Sequence, residues 1–213
     1  VEIEQRKGIE GRRAITIFAL SSPMGWWYAL ACPRTSKFQE MNMPIAQMLL
    51  PEFDLEMANT RKMLERVPDG KFDYKPHEKS MTLGKLAAHT CEIPSYATAT
   101  IRFEKLDFTG EEKPFLPATR AELLDAFDKY VVESREMLSK ATDEDLMKTW
   151  ALTYKGNQIF SMPRAAVLRT MVLSHLIHHR SQLGVYLRLN NIEIPGMYGP
   201  SADEMKMFNS QSA

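Results

Sequence analysis

The stretch Met171–Arg188, MVLSHLIHHRSQLGVYLR, limits the folds open to this chain more than any other. It holds three of the five histidines, His175, His178 and His179. It is rich in Leu, Val, Ile and Met and has no Gly or Pro before Gly184, which predicts a helix. At about 100° per residue, His175 and His179 share one face, roughly 6 Å apart along the axis. That spacing lets one helix offer two imidazoles to a single metal ion. The same face runs from Leu168 and Val172 to Gln182 and Tyr186, changing from apolar to polar at its middle, and buried polar groups need partners. Two readings fit the pair equally: surface or hydrogen-bonded core histidines, or half of a metal site whose third ligand comes from elsewhere. His178 points off the ridge beside Arg180 and reads as a solvated residue.

Taken in order from Pro44, the chain is regular. Phe53, Met57, Thr60, Leu64 and Val67 recur at helical spacing, so residues 45–67 predict a first helix, with Pro51 at its first turn or at a kink. A polar connector comes next, whose His77 shares no ridge with another candidate. Residues 81–105 predict a second helix with His89 at its middle among small and apolar neighbours. Pro94 implies a kink just after it. His89 alone reads as a core histidine; set against His175 and His179 it becomes the third imidazole. Cys91, about 200° round the helix from His89, belongs to the core. FTGEEKPFLPA reads as a loop, and TRAE at 119–122 as a capping box opening a third helix through Leu123, Phe127, Tyr130, Ser134 and Leu138. A short helical turn spans 142–148. WALTYKGNQIFSM reads as a small hairpin or extended loop centred on Gly156-Asn157. Pro163 then starts a long fourth helix that ends near Asn190-Asn191.

Four long helices and little strand predict an all-α four-helix bundle over residues 43–213, with a small hairpin or extended loop before the last helix. Residues 1–42 do not share this patterning. They read as a start-site artefact or tail preceding Met41 or Met43, or as a weak signal peptide ending at Cys32, in which case the domain is exported rather than cytoplasmic. The segment is too interrupted for a membrane span. In the 213 residues, 27 Lys+Arg balance 27 Asp+Glu, so no electrostatic footprint for nucleic acid or anionic membrane is present. Two cysteines, Cys32 and Cys91, are too few for a thiolate cage. The Glu-x-x-His of di-iron bundles and the His-Glu-x-x-His of zincins are both absent.

TLGKLAAH at 82–89, HLIHHRSQLGVYLR at 175–188 and PGMYGPSAD at 195–203 together resemble the DinB/YfiT-like metalloenzyme superfamily. Ser181 stands where many members have Gly, at a position that is not a ligand. The resemblance implies a four-helix bundle with a divalent metal (zinc, nickel or iron) on His89, His175 and His179. It also implies a homodimer, and chemistry like that of thiol S-transferases using low-molecular-weight thiols such as bacillithiol or mycothiol. Metal-assisted attack of a thiolate on a small electrophile is the expected reaction. Gln182 and Tyr186, above His179, are the expected contacts to the substrate, or else ordinary polar ends of the helix face. Tyr198 is expected at the pocket mouth, and Arg180 on a surface carboxylate. A hydrolase using Glu92 as base, and a non-catalytic metal-binding or structural bundle, are the rival readings.

Overall fold

The computed structural model describes residues 43–205; the extension 1–42, with Cys32, and residues 206–213 lie outside the described residues. Helix α1 (Ile45–Leu64) buries Ala46, Leu49, Phe53, Met57, Thr60, Met63 and Leu64, the stripe its periodicity predicts. Pro51 lies inside it, within the second turn. The Ile45 amide at its start donates to Asp143 Oδ1 at 2.8 Å, meeting one of the unpaired donors every helix start carries.

The predicted second helix is two, α2 (Leu83–Glu92) and α3 (Ser95–Arg102). Thr82 caps α2 by accepting from the Lys85 amide at 3.2 Å. Ile93 and Pro94 between the two keep right-handed helical dihedrals, so the axis kinks rather than reverses. Proline removes the amide that would continue the ladder, and the kink is held from outside: the Ser134 hydroxyl donates to the Pro94 carbonyl at 2.6 Å.

Helix α4 (Arg120–Lys140) opens on Thr119, whose hydroxyl accepts from the Glu122 amide. Glu122 completes the capping box one residue early, accepting from the Ala118 amide at 2.8 Å. Helix α5 (Asp143–Met147) leads into strands β2 (Thr149–Tyr154) and β3 (Asn157–Pro163), and β1 (Lys105–Phe108) precedes α4. The expectation of an all-α chain is thereby corrected. The protein is mostly helical but carries a three-stranded sheet in the order β1-β2-β3. β1 pairs parallel with β2, Lys105 opposite Ala151, over residues expected to end a helix and begin a loop. The hairpin turn also sits one residue earlier than expected. Lys155 and Gly156 hold φ of 50° and 78°, the left-handed pair that a two-residue primed turn requires, so Asn157 already belongs to β3.

The last helical stretch comprises α6 (Arg164–Val167), a π-helical turn (Leu168–Ser174) and α7 (His175–Leu189). In the π-turn the Ser174 hydroxyl donates to the Arg169 carbonyl, five residues back, at 2.9 Å. The stretch ends on Asn191 at φ 58°. Its amide bonds Arg188 O at 3.0 Å and the Ile192 amide bonds Leu187 O at 3.1 Å, the two bonds of a Schellman cap.

Helix α1 packs on α4 and α7, and α2 packs on the same two partners. Met81 before α2 meets Tyr186 late in α7, and His89 late in α2 meets His175 at the start of α7, so the two run antiparallel. Between α1 and α7 lies a buried ion pair. Arg180 Nη2 is 2.6 Å from Glu56 Oε2, with the side chains 2% and 4% exposed. Tyr198 joins it, its hydroxyl 2.6 Å from Arg180 Nη2 and 2.9 Å from both Glu56 oxygens. Arg180 does meet a carboxylate, but a buried one. Tyr198, expected at the pocket mouth, is bonded at the α1–α7 junction. Removing one partner strands the other charge in the interior, so Glu56→Ala is expected to cost about 3–5 kcal/mol in urea unfolding. Tyr198→Phe, which removes one hydroxyl, is expected to cost about 1–2 kcal/mol.

Candidate metal centre

His89 stands one turn before the end of α2, and His175 and His179 occupy the first turns of α7. Antiparallel packing brings the three side chains to one point. His175 Nε2 lies 3.3 Å from His89 Nε2 and 2.8 Å from His179 Nε2. One nitrogen from each of the three falls within 4.8 Å of the others. All three residues are partly buried.

The outward ring nitrogens decide what faces inward. His175 Nδ1 is 3.3 Å from the Met171 carbonyl, and a carbonyl only accepts, so Nδ1 carries the hydrogen and Nε2 the lone pair. His179 Nδ1 lies 2.8 Å from Gln182 Oε1, which fixes the same tautomer. Two lone pairs therefore face each other across 2.8 Å. Each in-plane nitrogen position can satisfy one partner, and His175 Nε2 has two. A cation answers that geometry. Nitrogen ligands at about 2.0–2.1 Å from a tetrahedral ion stand about 3.3 Å apart, close to the His89–His175 spacing.

Protonation does not supply that cation near neutral pH. Burial, then the charges of His179 and His175, hold His89 down at about 4. Burial likewise lowers His175, with His179 adding to it, and lowers His179 despite the bond its Nδ1 donates to Gln182. Neutral imidazoles are the form that binds metal.

Other sequence candidates fall elsewhere. His178 is exposed and outside the triad, its ring beside that of His179 at 4.8 Å. His77 is exposed and accepts from the Lys79 amide. Gln182, expected at the substrate, accepts from His179 Nδ1 through Oε1. Tyr186 donates to the Met81 carbonyl at 3.3 Å and sits edge-on to Tyr74. Glu92 accepts from the Phe115 amide, and burial raises its pKa. The Cys91 thiol donates to the Leu123 carbonyl, and burial pushes its pKa up to about 12.

One neighbour was placed on the His89 face by the sequence but given no role. Tyr96 lies parallel to the His175 ring, centroids 6.5 Å apart and planes 13° apart. Together with Met171, Leu106, Trp150 and Phe160 it walls an apolar pocket beside the centre. Tyr96 sits seven residues beyond His89, the same helical face two turns on, which was the available signal.

A mostly helical protein with a three-histidine cluster between two antiparallel helices is the class that this fold and site define. The sequence matches the DinB family over residues 41–212. The chain belongs to the DinB family. It is 24% identical over 170 residues to YrdA of Bacillus subtilis, covering 76% of this chain and 93% of that protein. A crystal structure of a DinB-like protein from Bacillus cereus matches with 27% identity and a TM-score of 0.56, covering 74% of this chain and all of that one. The DinB-like protein YjoA of Bacillus subtilis matches in fold at 20% identity and a TM-score of 0.55, over 70% of this chain and 97% of that one.

Purified protein loaded with zinc, nickel or iron is expected to hold about one ion per chain by mass spectrometry, and His89→Ala and His179→Ala to lose it. Protons and the ion compete for the same lone pairs. Because all three pKa values lie below the ordinary 6.5, chelator competition should show constant affinity above that pH and a decline as pH falls towards 4. Loss of affinity already on the alkaline side would contradict the assignment.

Proposed function

We propose that this chain is a metal-dependent enzyme acting on a small molecule, and that its chemistry is transfer of a low-molecular-weight thiol to an electrophile. The observation carrying this reading is the pair of inward lone pairs on His175 and His179, joined by His89. A divalent ion held there (zinc, nickel or iron) would supply Lewis acidity that favours the thiolate form of a thiol.

The chain's own groups divide the remaining work. Met171 O and Gln182 Oε1 keep His175 and His179 in the tautomers that turn lone pairs inward, so Gln182 is a positioning residue. Tyr186 fixes the spacing of α2 and α7 through Met81. The apolar side chains of Tyr96, Trp150 and Phe160 pack closely and keep water away from that flank of the centre. Cys91 is held protonated, so the attacking sulfur comes from the co-substrate. In the transfer the thiol gives its proton to solvent, its sulfur forms the new carbon–sulfur bond, and the displaced group leaves with the electron pair. The resemblance extends the reading to a four-helix bundle arranged as a cytoplasmic homodimer. Among the described residues, no helix is long and apolar enough to cross a membrane.

The hydrolase reading ranks second because its candidate base, Glu92, is turned to the Phe115 amide and its acid form is favoured by burial. Metal-loaded protein should consume an aryl-halide electrophile only when a thiol is present. His179→Ala should abolish this, and Gln182→Ala should lower it by about 10–100-fold. Ester cleavage without thiol would establish the hydrolase instead. Stoichiometric metal with neither activity would leave a binding or structural role.

A further inference from the structure

A second concentration of polar groups lies away from the histidines. A cleft of about 720 Å³ is bordered by Arg102, Lys105, Lys148, Trp150 and Arg164, with Glu104 as the carboxylate on its wall. Arg164 is 7% exposed and Trp150 4% exposed. The two Nη groups of Arg164 donate to backbone carbonyls, Phe103 O at 3.1 Å and Asp145 O at 3.5 Å. Its Nε, and Trp150 Nε1, are buried with no hydrogen-bond partner among the described residues.

No carboxylate among the described residues lies within ion-pair distance of Arg164. Of the neighbouring carboxylates, Asp145 pairs with Lys148 at 2.7 Å and Glu133 with Arg102 at 2.9 Å, while Glu104 lines the same cleft beyond ion-pair distance of Arg164. Buried groups left in this state are costly in two separate ways, as a guanidinium without a counter-charge and as N–H donors without acceptors. Neither side chain carries an acceptor, so the two cannot satisfy one another. As the side chains stand, both nitrogens are closed off from solvent, so a cleft ligand reaches them only with a small side-chain movement; a water that did so would bring no charge. Only an anion meets both needs.

We infer that this cleft binds an oxyanion, the carboxylate or phosphate group of a small molecule, received by Arg164 Nε–H and Trp150 Nε1–H within the field of Lys105 and Lys148. Arg164 suits either group because its guanidinium donates in a fixed plane. The site stands independently of the metal reading. It shares with the apolar pocket only Trp150, which borders both.

The test uses the full-length chain with isotope-labelled tryptophan. Its three tryptophans are Trp26, Trp27 and Trp150, and Trp150→Phe identifies the Trp150 indole N–H resonance by its loss. Titration with inorganic phosphate, and separately with acetate, should move that resonance saturably, while chloride at matched ionic strength leaves it in place. The tighter of the two tells which oxyanion the cleft prefers. Arg164→Gln should weaken binding at least about tenfold. Should that variant unfold, Arg164→Lys keeps the charge without the planar donor and should also weaken it. Lys105→Gln, at an exposed position, should weaken it by a few-fold. His179→Ala should leave the titration unchanged. No movement, equal movement with chloride, unchanged affinity in the Arg164 variants, or loss of the response in His179→Ala would each overturn the inference.

Discussion

Two nitrogen lone pairs turned toward each other at 2.8 Å are the constraint on which the candidate site rests. They repel unless something positive lies between them, and nothing in the imidazoles can relieve this while both Nδ1 hydrogens are engaged outward. The arrangement persists because those outward bonds are local. Met171 is one turn before His175, and Gln182 is three residues after His179. The tautomers are thus set within one helix, and the third imidazole is brought by tertiary packing of α2 against α7.

That packing depends on what α7 does on its other flank. Arg180 comes directly after His179, about 100° round the axis, and points into α1. There it meets Glu56, the Glu56 carbonyl and Thr60. A buried pair of this kind is a weak source of net stability, but it tolerates few alternative registers, since a slip would leave both charges unpaired. Adjacent residues therefore divide the labour, one turned to the histidine cluster and one locking the helix to α1. Tyr198 extends the lock to the segment after α7, tying it to both helices.

The sequence was most legible where periodicity and chemistry coincide. The His175/His179 spacing, the placement of His89, the capping box at Thr119 and the kink at Pro94 were all readable from local pattern. What escaped was non-local or too short. β1 has four residues, and its partner lies 46 positions away in parallel register, so no local pattern announces it. Gln182 was readable as polar and near His179, but whether it faced a substrate or the Nδ1 behind the ring depended on a rotamer. Arg180 looked like a surface residue because it stands in a polar run, and only its distant partner Glu56 makes it interior.

The π-helical turn explains the feature of the sequence that a straight helix could not. A regular helix would place Leu168 and Val172 on the same ridge as His175 and His179, joining an apolar stripe to a polar one. Each residue added to a helical turn rotates the remainder of the helix by about 100° relative to the unbroken one. The π-helical segment Leu168–Ser174 carries the apolar half of that ridge and ends immediately before His175, where the polar half begins. Leu168 and Val172 can then be fully buried, while the histidines, partly exposed, look toward α2 instead of continuing into the core. The change from apolar to polar is a change of direction. It places ionisable groups next to the core without embedding them in it, which keeps the imidazoles neutral yet reachable.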